Sequence, residues 1–95
     1  MVFPWERVQE LQGKTLKTVS RGAPFDVMEV RNNFVRVAPL STGEPRRIER
    51  TCFDLAAKKG LVTDDVKPSQ IQKQSASVFN STYVAAIIRA VVGTN

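Results

Sequence analysis

Polar side chains that could contact phosphate or base edges are grouped near the end of the chain. They are Asn80, Ser81, Thr82 and Tyr83. The apolar residues after them, Val84, Ile87, Ile88 and Val91, follow the i, i+3, i+4, i+7 spacing of one helix face. The spacing predicts a helix whose first turn presents hydrogen-bonding groups, an arrangement suited to anionic ligands. The same residues are also typical of a capped helix that simply docks on a sheet.

The two ends of this last helix carry their own signals. Asn80 or Ser81 can act as the N-cap by accepting a hydrogen bond from an amide of the first turn. Gly93 can take the left-handed conformation that ends a helix. We expect a short helix over residues 69–74 and a link of mostly small residues over 75–79 before it.

Five arginines form a second set of candidate phosphate ligands: Arg31, Arg36, Arg46, Arg47 and Arg50. A guanidinium group can donate two parallel hydrogen bonds to one phosphate. The last three are close in sequence, and the first two join them if the chain forms a continuous antiparallel meander. The alternative is a solvated charged face, which Glu44 and Glu49 would partly neutralise.

Composition favours a polyanionic partner. The 95 residues include 14 Lys and Arg against 9 Asp and Glu, a formal net charge of +5. Such a charge favours nucleic acid first, an anionic membrane surface second and an acidic protein third. A soluble domain can also be this basic without having any such site. The length fits one domain, residues 1–95, with a single modest core.

Residue usage argues against an enzyme and against a metal or cofactor site. The chain has no histidine, so histidine bases, the usual catalytic triads and ordinary zinc sites are not expected. Its single cysteine, Cys52, is expected to be a small buried thiol, and the lack of an internal disulfide fits the cytoplasm. Asp26, Glu29 and Arg31 lie close together, but they lack the pattern of a metal-dependent nuclease, and we expect no catalytic residue.

No segment is typical of a signal peptide or of a membrane-spanning helix. The N-terminal residues lack a basic start followed by an apolar run. The longest apolar run, residues 83–88, is far shorter than the roughly 18 residues that a spanning helix needs. We therefore expect a soluble protein without a membrane partner.

The middle of the chain predicts an antiparallel sheet. Residues 15–19 alternate polar and apolar side chains, and residues 25–31 and 34–38 flank Asn32-Asn33, which suits a two-residue hairpin turn. The expected pairs are Arg31 with Phe34, Val30 with Val35, Glu29 with Arg36 and Met28 with Val37. Residues 46–50 fit either a fourth strand or the start of a helix.

Further helices are predicted before and after this sheet. Residues 4–12 form the first, since Pro4 suits a first helical position and Gly13 a stop. Thr51 with Asp54 three residues later forms a capping-box pattern, which starts a second helix that ends at Gly60.

The last two helices resemble the helix-turn-helix of bacterial DNA-binding proteins. The resemblance depends on Asn80-Ser81-Thr82-Tyr83-Val84 followed by Ile87-Ile88-Arg89, and it covers about residues 69–92. It implies that residues 80–83 face duplex DNA while the apolar stripe packs inward. The hairpin-helix layout also resembles small modules attached to, or encoded beside, bacterial restriction enzymes and related nucleases. This second resemblance depends on Thr18-Val19, Pro24-Phe25-Asp26-Val27 and the later Ser81-Thr82-Tyr83-Val84-Ala85-Ala86.

We thus expect an α+β fold in which a small antiparallel sheet packs with three to four short helices in a winged helix-turn-helix-like arrangement. The predicted core comprises Trp5, Leu16, Val19, Met28, Val30, Val35, Val37, Phe53, Leu55, Val84, Ile87 and Val91. The expected function is non-enzymatic binding of duplex DNA, with arginines on the phosphates and the start of the last helix on base edges. The alternative is a protein-interaction module anchored by Phe34, Phe79 and Tyr83, or a homodimer formed through the C-terminal helix.

Overall fold

Four strands and four helices make up the part of the chain that the computed structural model describes, residues 3–19, 21–73 and 80–93. In chain order they are α1 (Trp5–Gln9), β1 (Thr15–Lys17), β2 (Pro24–Val30), β3 (Phe34–Pro39), β4 (Arg46–Glu49), α2 (Arg50–Lys58), α3 (Pro68–Lys73) and α4 (Ser81–Gly93). The strands form one antiparallel sheet in the order β1-β2-β3-β4. The expected α+β fold with a small antiparallel sheet is confirmed. Within the described ranges, no helix is long and apolar enough to cross a membrane.

The segment that fitted both a strand and a helix divides between the two. Residues 46–49 form the edge strand β4, in which Ile48 pairs with Val35 and is buried. Helix α2 follows at Arg50. Its N-cap position is Glu49 and has no side-chain cap, so the predicted capping box at Thr51 is wrong: the helix starts before the residue that was to cap it. Gly60 ends α2 as predicted, with a φ of +74° that favours glycine.

The β2–β3 hairpin follows the predicted register only near its turn. Val30 pairs with Val35 and Glu29 with Arg36 as expected, but a bulge between Val27 and Glu29 shifts the rest of the strand. Val27, rather than Met28, therefore lies opposite Val37. The prediction that Met28 belongs to the core is wrong, because the bulge leaves its side chain 50% exposed.

The core lies between the inner face of the sheet and the helices. Buried residues of the strands and helices form one hydrophobic cluster, which confirms Trp5, Val30, Val35, Val37, Phe53, Val84, Ile87 and Val91 as core residues. Leu16, Val19 and Leu55 are half-buried and pack against that cluster. Trp5 anchors α1 to the sheet, since its ring meets Phe53 edge-on at 5.4 Å and its indole Nε1 donates to the Arg31 carbonyl oxygen at 2.6 Å.

Helix α4 is a central helix and not a surface one. Its predicted stripe is buried, and so are Ala85 and Ala86. The half-buried residues of the helix are Thr82, Tyr83, Arg89, Ala90 and Val92, and Gly93 is exposed. The Asn80 carbonyl accepts hydrogen bonds from the amides of Tyr83 and Val84, which puts Asn80 at the N-cap position. Gly93 stays within the helix and has no left-handed φ, so the prediction that it ends the helix in that conformation is wrong. The predicted link 75–79, with Phe79, lies outside the described residues.

Candidate anion-binding cleft

The register of the sheet separates the candidate arginines onto two faces. Successive residues of a strand point to opposite sides of a sheet. Arg47 pairs with Arg36 on the outer face, away from the helices. Arg46 pairs with Val37, whose side chain is fully buried on the inner face. Arg46 and Arg47 are neighbours in sequence but belong to different surfaces.

The outer face carries a cluster of two arginines around one aromatic ring. The guanidinium carbons of Arg47 and Arg36 lie 4.1 and 5.4 Å from the centre of the Phe34 ring. Cation–π contacts at such exposed sites contribute about 0.5–1 kcal/mol each. The two guanidinium groups partly cover Phe34, which is half-buried although it points away from the core.

Carboxylates already engage the arginines of the outer face. Glu29 accepts contacts from Arg31 at 2.6 Å and from Arg36 at 2.7 Å. Glu49 accepts one from Arg47 at 2.8 Å. Exposed pairs of this kind add little stability, but they lower the positive charge of the surface. A phosphate on the outer face would have to compete with both carboxylates.

Arg50 has a different set of partners from the arginines of the outer face. Its guanidinium carbon is 5.3 Å from the centre of the Trp5 ring. One of its terminal nitrogens donates to the Asn32 carbonyl oxygen at 3.1 Å, and its Nε is 3.9 Å from a carboxylate oxygen of Asp54. Arg50 therefore ties the start of α2 to the hairpin turn.

Arg46 reaches the first turn of α4. Its guanidinium carbon lies 5.8 Å from the centre of the Tyr83 ring. The Tyr83 ring in turn meets Phe25 edge-on, with centroids 5.1 Å apart and planes at 80°. Because Phe25 is fully buried, this contact fixes Tyr83 against the core, while its half-buried side chain still borders the surface.

A cleft of about 430 Å³ opens beside Arg46 and Tyr83. It is lined by Thr18, Arg21, Ala23, Pro24, Pro39, Ser41, Arg46, Thr82 and Tyr83. The described lining residues thus include two arginines and four residues with hydroxyl groups, and none of them carries a carboxylate. In the described part of the chain, neither Arg21 nor Arg46 forms an ion pair. Their donors can therefore meet an oxyanion without first leaving a carboxylate.

A hydrogen-bonded turn holds the Arg21 side of the cleft. The Thr18 amide donates to the Ala23 carbonyl oxygen at 2.9 Å, and the Gly22 amide donates to the Thr18 carbonyl oxygen at 2.9 Å. The Ala23 amide donates to the Thr18 hydroxyl oxygen at 3.0 Å. Gly22 has a φ of +65°, which glycine adopts without strain. These bonds tie Thr18 to Gly22 and Ala23, next to Arg21 in the chain.

The cleft unites only some of the residues that the sequence indicated. Arg46, Thr82 and Tyr83 line it, whereas Arg31, Arg36, Arg47, Arg50, Asn80 and Ser81 do not. Ser81 is 3% exposed, so its hydroxyl is not displayed at the surface. Sequence reasoning missed Thr18, Arg21 and Ser41 as site residues. The residue types at positions 20–24 predict a turn there, but they do not indicate which parts of the chain lie beside that turn in the folded protein.

Other kinds of site have less support from the geometry. Over the described ranges, no group of three or more His, Cys, Asp or Glu side chains could hold a metal ion.

In comparisons with known proteins, no family, no curated protein and no solved structure matches this chain. What the arrangement can do chemically follows from the cleft itself. Arg21 and Arg46, which form no ion pair with the described residues, can bind a phosphate or a similar oxyanion together with the neighbouring hydroxyls.

Proposed function

We propose that the protein is a non-enzymatic DNA-binding domain that holds backbone phosphate of duplex DNA in the cleft. The observation that carries the proposal is the pair Arg21 and Arg46, which line one concave surface whose described lining residues include no Asp or Glu. The net charge of +5 adds a long-range attraction for a polyanion. Hydroxyl groups of Thr82 and Tyr83 supply further hydrogen bonds of the kind that phosphate oxygens accept.

The burial of α4 determines which docking geometry we favour. In a winged-helix arrangement the last helix would enter the major groove and the hairpin would contact the backbone as a wing. Here every residue of α4 before Gly93 is buried or half-buried. The hairpin turn at Asn32-Asn33 lies at the opposite end of β2 and β3 from Pro24 and Pro39, which line the cleft. We therefore favour backbone binding by the cleft, with weak sequence preference, over insertion of the helix into a groove.

The proposal is tested by measuring the affinity for a short fluorescent duplex in increasing salt. A domain that neutralises phosphates loses affinity with a logarithmic slope of about −0.9 per phosphate contacted. Arg46→Ala and Arg21→Ala should each lower the affinity by about fivefold and make the slope less steep by about one. Since both arginines border the surface at the cleft, the variants should keep the fold.

Arg47→Ala is the matched control, because it removes the same charge from the outer face of the same strand. It should change the affinity less than Arg46→Ala does, since Glu49 already neutralises Arg47. The proposal is wrong if the wild-type protein does not bind the duplex. The placement in the cleft is wrong if Arg47→Ala weakens binding as much as Arg46→Ala.

A protein-interaction role is the second candidate. Met28 and Leu40 are 50% and 53% exposed, and large apolar side chains at the surface can anchor a protein partner. This role predicts an affinity that hardly changes with salt and is lost on Met28→Ser or Leu40→Ser. Sedimentation at increasing protein concentration would detect a homodimer, and the serine variants would dissociate it.

A further inference from the structure

We infer that the cleft takes a terminal phosphate monoester of a DNA strand in preference to the phosphodiesters within the strand. The inference rests on the proposed function and narrows it to the ends of DNA. Two arginines line the cleft, Arg21 and Arg46, and none of its described lining residues carries a carboxylate. A monoester carries close to two negative charges at neutral pH, whereas a backbone phosphodiester carries one. The charge of the cleft matches the terminal group.

The shape of the cleft also fits an end of a strand. Its volume of about 430 Å³ lies in the range of sites that enclose small molecules. Such a volume can receive one phosphorylated nucleotide. Pro24 and Pro39 border it with apolar rings, which can pack on the sugar of that nucleotide.

The hydroxyl groups of the lining suit the three terminal oxygens of a monoester. Thr18 is 8% exposed, and its hydroxyl oxygen accepts a hydrogen bond from the Ala23 amide at 3.0 Å. In that bond the Thr18 hydroxyl is the acceptor, so its own proton can still be donated to a ligand oxygen. Ser41, Thr82 and Tyr83 supply three further hydroxyls around the same space. A phosphodiester has only two terminal oxygens to use them.

The pH dependence gives a readout that a merely structural role would not produce. The second ionisation of a phosphate monoester has a pKa of about 6, so the dianion persists above that pH and is lost below it. The chain contains no histidine, the side chain that ordinarily titrates in that range. The charged and titratable groups that line the cleft are Arg21, Arg46 and Tyr83. If the preference for phosphorylated ends disappears on acidification, the group that takes up the proton is therefore the phosphate of the ligand and not a histidine of the protein.

The experiment compares duplexes of one sequence that carry a 5′-phosphate, a 3′-phosphate or only hydroxyl ends. Fluorescence anisotropy at fixed salt should show about tenfold tighter binding to at least one phosphorylated duplex, the gain expected for added charge-assisted hydrogen bonds. The preference should shrink severalfold between about pH 7.5 and about pH 5 as the dianion is protonated. Arg46→Gln should abolish it, and Arg47→Gln should preserve it.

The outcomes separate this inference from the proposed function. Equal affinity for all three duplexes would overturn the terminal-phosphate inference while leaving duplex binding in place. Failure to bind any duplex would overturn both. A short phosphoserine peptide serves as a further probe, and tighter binding to it than to the phosphorylated duplex would also overturn the inference.

Discussion

Replacing Tyr83 separates the stability of the cleft from its affinity for a ligand. The Tyr83 ring packs edge-on against fully buried Phe25, with centroids 5.1 Å apart. Truncating a buried aromatic side chain to alanine costs about 3–5 kcal/mol. Because Tyr83 is half-buried, we expect Tyr83→Ala to lower the free energy of unfolding by about 2–3 kcal/mol, including the lost aromatic pair. For a domain of this size, that loss lowers Tm by roughly 10–20 °C.

Tyr83→Phe is the matched variant, because it keeps the ring and removes only the hydroxyl group. It should change the free energy of unfolding by less than about 0.5 kcal/mol. If the hydroxyl donates to a bound phosphate, the affinity for the duplex should fall by about threefold to tenfold. Thermal unfolding followed by circular dichroism gives the stability of both variants, and anisotropy gives the affinity of Tyr83→Phe.

Two results would refute the reasoning about Tyr83. A loss below about 0.5 kcal/mol for Tyr83→Ala would show that the ring does not pack on Phe25 as described. If Tyr83→Phe is as stable as the wild type and binds the duplex equally well, the Tyr83 hydroxyl does not donate to the bound phosphate.

Three further predictions concern the fold that supports the cleft. Met28→Lys should change the free energy of unfolding by less than about 0.5 kcal/mol, whereas Val27→Lys should prevent folding by placing a charge in the core. Urea denaturation measures both, and equal losses of stability would contradict the bulge that buries Val27 and exposes Met28. Trp5→Phe should cost about 1–2 kcal/mol in the same assay, because the Arg31 carbonyl loses its indole donor; unchanged stability would contradict that bond. Gly60→Ala should lower the free energy of unfolding by about 1 kcal/mol, measured by thermal unfolding, because alanine disfavours a φ of +74°. A gain in stability would contradict a left-handed conformation at residue 60.

The hairpin shows how far strand alternation predicts a register. A two-residue turn fixes the first pairs, so Val30–Val35 and Glu29–Arg36 follow from the sequence. Strict alternation then fails at Met28, because a bulge adds one residue to β2. The sequence does contain the signal, since Phe25 and Val27 share one parity and Val30 has the other. Three apolar residues of mixed parity can face one core only if the strand is interrupted.

The positions of the arginines could not be predicted from the sequence. The side chains of Arg46 and Arg47 must point to opposite faces of the sheet once residues 46–49 form a strand. The sequence, however, fitted a strand and a helix equally well there. Arg21 could not be selected at all, because its place depends on α4 reaching the same end of the sheet as the turn around Gly22. That meeting is a long-range contact, which local patterns do not specify.

The last helix was predicted with nearly correct bounds but not with its depth in the core. The stripe from Val84 to Val91 is buried as expected. Ala85 and Ala86 are buried as well, which a reading of one apolar face does not anticipate. The unbroken apolar run of residues 84–88 is the feature that indicates burial on more than one side. Thr82 and Tyr83, in the first turn, are the residues of this helix that line the cleft.

Mapping the DNA contacts by NMR tests the central claim most directly. Titrating 15N-labelled protein with a short duplex reports each backbone amide and each arginine Nε–H separately. Our account predicts that the largest shifts fall on Arg21, Arg46 and Tyr83, around the cleft, and that Phe34 and Arg47 on the outer face change little. Shifts concentrated on Phe34 and Arg47, with the cleft unaffected, would contradict it.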